Sequence, residues 1–429
     1  MFRKAPLLVA ALSALTFARP ACADDLPTPL TREAVLSWVV REHPRVASVR
    51  VRAEAIDKEA DGAGKLPSPE LSVDIWSVPF SKPYALSQAS MISVGLRQRF
   101  PSLGSLGARA DAGHAEARAE RLEADDQERD VRRVAAHAYV DYEEAAARAR
   151  THLDHLSVAR RIVEVSRAWY VSAGSSIEAA QAEVELAQMQ ADRATDLTLK
   201  DRTRSRLNAL LQRPIDAPLG DPATIDATVP AWSLTELVQQ AQERRPDVKA
   251  VRAGHDAAEA LRVAARREWL IPSFSVGVLY FPPTSAAPEH GFGVSLGVEL
   301  PWLWGAGKNR TDAATLASEA AALAIRARNI DVNAEVAEAD ANVRTQALRL
   351  RILQEMVLPA TRRTLDAALA SYVVSRADFA LLLATRRALI DTDLQIIAAR
   401  AALDHALVEL EAAVGGPVPR APLASVGLP

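Results

Sequence analysis

At 429 residues, 49% of them hydrophobic and only 5% aromatic, the chain is long enough for two or three domains around a large buried core. Its formal net charge of -3, from 51 basic and 54 acidic residues, excludes the basic footprint of a nucleic-acid binder. A single cysteine excludes a disulfide framework and a cysteine metal site, and no later stretch reaches the 18 apolar residues of a transmembrane helix.

The amino terminus reads as a signal peptide over residues 1–23. Arg3 and Lys4 precede an apolar run over 6–18, and Ala21-Cys22-Ala23 fits a small-x-small cleavage site. Cleavage before Asp24 removes the only cysteine, together with Arg3, Lys4 and Arg19 and no acid, leaving a formal charge of about -6. A lipid anchor on Cys22 would need small or aliphatic residues before it, where Arg19-Pro20 stands.

The rest of the chain is written twice, about 200 residues apart. Arg41-Glu42-His43-Pro44-Arg45-Val46 returns as Glu243-Arg244-Arg245-Pro246-Asp247-Val248, and Leu66-Pro67-Ser68 as Ile271-Pro272-Ser273. Residues 95–101 return as 295–301, and Tyr170-Val171-Ser172 as Tyr372-Val373-Val374. Four matches in order at a near-constant offset mark one long duplicated unit and not a short solenoid repeat. The spacing assigns 24–232 to the first repeat, 233–416 to the second and 417–429 to a C-terminal tail.

In chain order, Thr31 can cap a first helix with Glu33 in its first turn, Pro44 restarts it, and Gly62-Ala63-Gly64 stops it. Ser233 or Thr235 opens the matching segment, where Pro246 takes the part of Pro44. The periodicity then changes from 3.6 to 2. Strands are predicted over about 69–78 and 90–100, with Leu71, Val73, Ile75 and Ile92, Val94, Leu96 on one face. In the second repeat they fall at about 272–281 and 291–301, with Phe274, Val276, Val278, Tyr280 and Phe292, Val294, Leu296, Val298 on one face. Runs of about 9–11 alternating residues have the length of outer-membrane strands with an apolar outer face and a polar lumen. Two ordinary hairpins on a soluble core would alternate too. Trp269, Trp302 and Trp304 at the strand ends favour a membrane interface. Four strands leave two open edges that hydrocarbon does not tolerate, and three chains would close twelve strands around a wet lumen.

After each second strand comes Pro-x5-Gly, Pro101 to Gly107 and Pro301 to Gly307. Long helices are predicted over about 104–169, 175–211, 308–371 and 377–414. Ala135, Ala138, Ala145, Ala146 and Ala149 are positions where helices can approach closely, with Arg and Glu on the wet faces. At 1.5 Å per residue the longer helices span about 90–100 Å.

His152-x-x-His155 with Asp154 has metal-ligand spacing, but no third ligand lies near and the reading preferred is a solvated helix face. Gly305-Ala306-Gly307-Lys308 echoes a phosphate loop, yet Trp302 replaces its first glycine and Asn309 its Ser/Thr. No nucleophile elbow, zincin helix or paired-carboxylate motif occurs, so neither an enzyme nor a cofactor is expected.

Taken together, the His43-Pro44 and Arg245-Pro246 helix restarts, the Pro-x5-Gly junctions and the Tyr-x3-Gly/Ser turns resemble the TolC family of outer-membrane efflux channels, most closely its heavy-metal (CzcC/CusC-like) branch. The resemblance implies a mixed α/β membrane protein in the outer membrane. A homotrimer would share a 12-stranded β-barrel, four strands per chain, continuous with a periplasmic α-helical coiled-coil barrel. It further implies docking on a periplasmic adaptor linked to an inner-membrane RND-type pump, with Gly174, Ser175, Ser375, Arg376 and Ala377 at the docking tips. Family positions for an acidic gate fall on Leu381 and Ala384, so Glu178 and Asp378 are the candidate charged ring instead. The expected function is a passive exit duct for metal cations. Drugs, other organic solutes or a secreted protein are alternative cargo, and a soluble periplasmic coiled-coil scaffold is the alternative of another class.

Overall fold

The computed structural model describes residues 26–41, 43–76, 84, 89–173, 176–223, 227–284, 287–373 and 378–423. The expected signal peptide and Cys22 lie outside them.

Two short helices open each repeat. Helix α1 (Arg32–Val40) is capped by Thr31, whose side chain accepts from the Ala34 amide at 3.3 Å, and Glu33 lies in its first turn. Helix α2 (Pro44–Ala63) starts on Pro44 because a proline at the first helical position gives up only an amide that would lack a partner anyway. The hairpin of β1 (Glu70–Trp76) and β2 (Met91–Phe100) follows. Helix α3 (Ser105–Ala173) has 69 residues and a length of about 100 Å. Helix α4 (Ser176–Leu210) returns beside it.

A short strand β3 (Thr228–Pro230) leads into the second repeat. Helix α5 (Leu234–Arg244) begins on Ser233, which forms a reciprocal capping box with Glu236, and α6 (Pro246–Leu270) restarts on Pro246. Strands β4 (Ser273–Phe281) and β5 (Gly291–Glu299) form the second hairpin. Helix α7 (Ala306–Ile352) then passes through one π-helical turn, Leu353–Val357, into α8 (Leu358–Val373). Pro359 explains that turn: it has no amide to donate to Glu355, and its ring would press on that carbonyl, so the helix widens just before it. Helix α9 (Phe379–Val414) returns, ends on Gly415 at φ 83°, and the chain pairs β6 (Arg420–Pro422) with β3.

The long helices are held by small side chains. Ala138, Ala145, Ala149, Leu156, Ala159 and Val163 are all buried along one stripe of α3 at three-and-four spacing. One apolar cluster joins α1, α3 and the end of α4 around Leu30, Val35, Tyr139 and Leu207. Another joins α5, α7 and α9 around Leu237, Val336, Leu350 and Leu407. Smaller clusters towards the ends of the long helices pack Leu156 with Met189 and Ile390, and Val163 with Phe379.

The four hairpin strands make one antiparallel sheet in the order β1-β2-β4-β5, so the two repeats meet at the β2–β4 pair. Register then decides the chemistry of each face. Leu71 lies opposite Leu96, Leu96 opposite Val278, and Val278 opposite Val294. A parallel row runs Val73, Val94, Tyr280, Phe292. Because side chains alternate with period 2, all these apolar residues share one face.

Candidate functional site

That apolar face is bare. Leu71, Leu96, Val278, Val294, Leu296 and Phe292 are all more than half exposed, and Phe292 reaches 85%. A contiguous patch this large on a sheet needs either hydrocarbon or another protein against it. The opposite face carries Ser72, Asp74, Ser93, Arg97, Ser275, Ser295 and Glu299, among them the Ser273–Glu299 hydrogen bond of 2.9 Å. Among the described residues, the outer edges of β1 and β5 have no strand partner. No helix among them is long and apolar enough to cross a membrane.

At the sheet's helical end, Trp302, Leu303 and Trp304 project into solvent, Trp304 at 91% exposure. Of the two glycines singled out by the Pro-x5-Gly spacing, Gly307 is packed: a Cβ there would stand 2.9 Å from the Pro301 carbonyl oxygen and from Trp269 Cδ1. Gly107 has open space around it. The left-handed turns fall instead on Gly104 and Gly305, at φ 77° and 71°. The Gly104 carbonyl accepts from Arg267 Nη1 at 2.6 Å, which ties the start of α3 to α6. Sequence spacing missed these two. The signal for them was a glycine three or four residues after the strand-ending proline.

At the far ends of the long helices, Gly174, Ser175, Ser375, Arg376 and Ala377 lie outside the described residues. Glu178 in the first turn of α4 accepts from the Tyr372 hydroxyl at 3.3 Å, joining α4 to α8. The Tyr372 ring leans on Phe379 of α9 with centroids 5.7 Å apart. Burial and the neighbouring Glu178 charge raise the Tyr372 hydroxyl above its ordinary pKa, so it stays a donor. Asp378 caps α9 by accepting from the Ala380 amide at 3.5 Å. Leu381 is half exposed, and Ala384 lines a groove of about 740 Å³ between α4 and α9 with Ile177, Ala180, Val184 and Leu383. Arg387 closes one end of that groove through Glu185 at 3.1 Å and Gln188 at 3.0 Å.

The His152–His155 pair is neither a metal site nor a solvated face. His152 is buried and its Nδ1 meets Asp196 of α4 at 2.6 Å, with Arg148 on the other carboxylate oxygen at 3.2 Å. His155 turns the other way, its Nε2 3.2 Å from Asp393 of α9. One helical turn separates the two rings, and each is claimed by a different neighbouring helix. Among the described residues no group of three or more His, Cys, Asp or Glu could hold a metal ion. Gly305 to Lys308 is the capping turn of α7 and has no phosphate-loop context, since the preceding strand ends six residues earlier.

Residues 237–416 match the model of a family described as outer membrane efflux protein. The match covers nearly all of the second repeat. The family is one of outer-membrane channels and not of enzymes, in keeping with the location and the absence of catalysis expected from the sequence. The scaffold alternative accounts for neither the family match nor the bare sheet. A sequence search of curated proteins finds no match. The fold as a whole is similar to that of the channel CusC, with a TM-score of 0.75 at 18% identity over 90% of this chain and 92% of that one. It is also similar to VceC from Vibrio cholerae, with 0.72 at 15% over 90% and 96%. For the open state of MtrE from Neisseria gonorrhoeae the values are 0.71 and 18% over 90% and 89%. The resemblance to outer-membrane efflux channels thus holds for the fold over 90% of the chain and for the family model over residues 237–416.

Proposed function

We propose that three copies of this chain close a twelve-stranded barrel in the outer membrane, with β5 of each copy pairing β1 of the next, and that the barrel continues into a tunnel of the long helices through the periplasm. The observation that carries this reading is the four-stranded sheet with one continuous apolar face and two open edges. Lipid would cover the face, and ring closure would supply every missing backbone partner. Twelve strands leave an aqueous lumen, whereas eight would be nearly filled by side chains.

In this reading the duct is passive. An adaptor docks at the helix ends around residues 174–175 and 375–377, and an inner-membrane RND-type pump supplies the energy through it. The Tyr372–Glu178 hydrogen bond is the tie that docking would have to release, because it joins two helices from different repeats beside the reversal points. Cations are the cargo favoured here: Glu178 and Asp378 bring three-fold repeated carboxylates to the tip, and rings of carboxylates favour cations. The test is the mass of the detergent-extracted protein by light scattering corrected for detergent. Three chains per particle support the duct. A monomer, or release without detergent, overturns it.

A further inference from the structure

Midway along α3 and near the C-terminal end of α9, the two helices are joined by four titratable side chains in a row. His137 Nε2 lies 2.6 Å from Glu409 Oε1, His137 Nδ1 lies 2.6 Å from His405 Nδ1, and His405 Nε2 lies 3.2 Å from Asp141 Oδ1. The two rings meet edge to edge through these nitrogens, with centroids 4.9 Å apart and planes 25° from parallel. We infer that this row is built to hold one proton shared between His137 and His405, and that the proton works as a pH-sensitive latch between α3 and α9.

The argument is a count of protons. Both carboxylates are ionised. Hydrogen bonding from His405 holds Asp141 below the usual carboxylate range, and Glu409 is also held below it because bonds from His137 and Arg133 outweigh its burial. An ionised carboxylate only accepts, so each Nε2 must donate. A neutral imidazole has one N–H, which each ring has then used, and two bare Nδ1 lone pairs would face each other at 2.6 Å. One added proton turns that repulsion into a charge-assisted hydrogen bond. A second would set two N–H groups against each other. Burial, with the facing His405, holds His137 below the ordinary histidine range, and the clash of two facing N–H groups limits the pair to one added proton.

Charged groups of both signs surround the row. On α3, Arg133 spans Asp130 and Glu409, and Glu144 lies near His405. On α4, Arg206 pairs with Asp141 at 3.0 Å. On α9, Asp404 lies beside His405 and Arg400, and the groove shared by Arg133 and Glu409 is lined also by Arg129 of α3, by Arg245, and by Arg328, Glu335 and Glu338 of α7. The shared proton answers the two facing Nδ1 lone pairs. The latch is therefore closed in mildly acidic solution and opens as the pair loses its proton with rising pH. It stands on the α3–α9 contact and does not require the channel reading.

The test is the melting temperature of the detergent-purified full-length protein from pH 6.0 to 8.5, for the wild type, His405→Gln and His405→Lys. The expected result is that His405→Gln lowers Tm by about 2–4 °C at pH 6.0 and leaves it unchanged at pH 8.5. His405→Lys, whose charge is permanent, should hold its own pH 6.0 Tm up to pH 8.5, where the wild type has lost the contribution of the shared proton. Equal losses for Gln and Lys at both pH values would reduce the pair to packing and overturn the latch. If the Gln variant does not fold, ring-nitrogen resonances of histidine-labelled wild-type protein decide: two neutral rings at pH 6.0 also overturn it. A rise of Tm with added zinc that is lost in His405→Gln would make a metal ion the occupant, and again overturn the proton.

Discussion

Arg245 grips Asp247 with two parallel hydrogen bonds, Nε to Oδ1 at 3.0 Å and Nη2 to Oδ2 at 2.7 Å, while its Nη1 reaches Glu335 at 2.5 Å and the Ala413 carbonyl at 3.0 Å. One buried guanidinium therefore ties the elbow between α5 and α6 to α7 and to the end of α9. Gly415 fits against it: a Cβ there would stand 3.0 Å from Arg245 Cγ, at a φ of 83° that already favours glycine. The first repeat has His43 at the matching elbow, as the N-cap of α2 with no side-chain capping bond. His43 thus has no part like that of Arg245 among the described residues.

Removing this arginine leaves Asp247 half-buried without its fork. Arg245→Met is expected to cost about 3–5 kcal/mol, the usual penalty for breaking a buried pair from one side. Chemical denaturation of the detergent-solubilised protein checks it; a loss below about 1 kcal/mol would mean that Arg328, which also reaches Asp247, takes over the pairing.

Asp247 also sets a limit on acid stability. Burial opposes its charge, but hydrogen bonds from Arg245 and Arg328 win and hold it well below the usual carboxylate range. A folded-state pKa below the unfolded value contributes stability that is complete above about pH 4 and is lost as pH falls towards the folded value. Asp247→Asn should lower Tm at neutral pH and flatten its fall below pH 4. An unchanged acid limb would assign that fall to other carboxylates.

The two Pro-x5-Gly glycines should respond differently to the same substitution. Gly307→Ala drives a Cβ to 2.9 Å from a backbone oxygen and from Trp269, an overpacking expected to cost about 1–3 kcal/mol. Gly107→Ala meets nothing within 4 Å inside α3 and should be neutral or stabilising by up to about 1 kcal/mol. Thermal melts of the pair read the contrast directly.

The two faces of the sheet give a sharper test of the barrel. Leu296→Lys places a charge on the apolar face and is expected to cost about 2–4 kcal/mol at mid-membrane depth, whereas Ser295→Lys, one residue away on the other face, should be tolerated. The readout is the amount of assembled protein recovered from outer-membrane fractions. Equal recovery of both would argue against lipid on that face.

Tyr372→Phe deletes the hydroxyl that donates to Glu178 and keeps the ring against Phe379. In planar bilayers this variant should show a higher mean conductance than the wild type, with little change in melting temperature. Unaltered conductance would remove the α4–α8 tie from the gate.

The amino-acid sequence by itself determined the duplicated plan. Prolines at 44 and 246 restart helices whatever surrounds them, because a missing amide and a fixed φ are local properties. Alternation of apolar residues is likewise local, and it placed Leu71 to Ile75 and Phe292 to Val298 on strands before any neighbour was known. The motif spacing pointed to the channel family. Only the tertiary structure decided which side chains meet across helices. His152 looked solvated because periodicity gives a face and not what lies on it; its burial depends on Asp196, which belongs to α4. The Glu409–His137–His405–Asp141 row joins residues more than 260 positions apart, and no local pattern encodes such a meeting. The turn glycines at 104 and 305 were obscured for a related reason. A left-handed φ is fixed by how the strand must enter the helix, a matter of direction in space that composition does not carry.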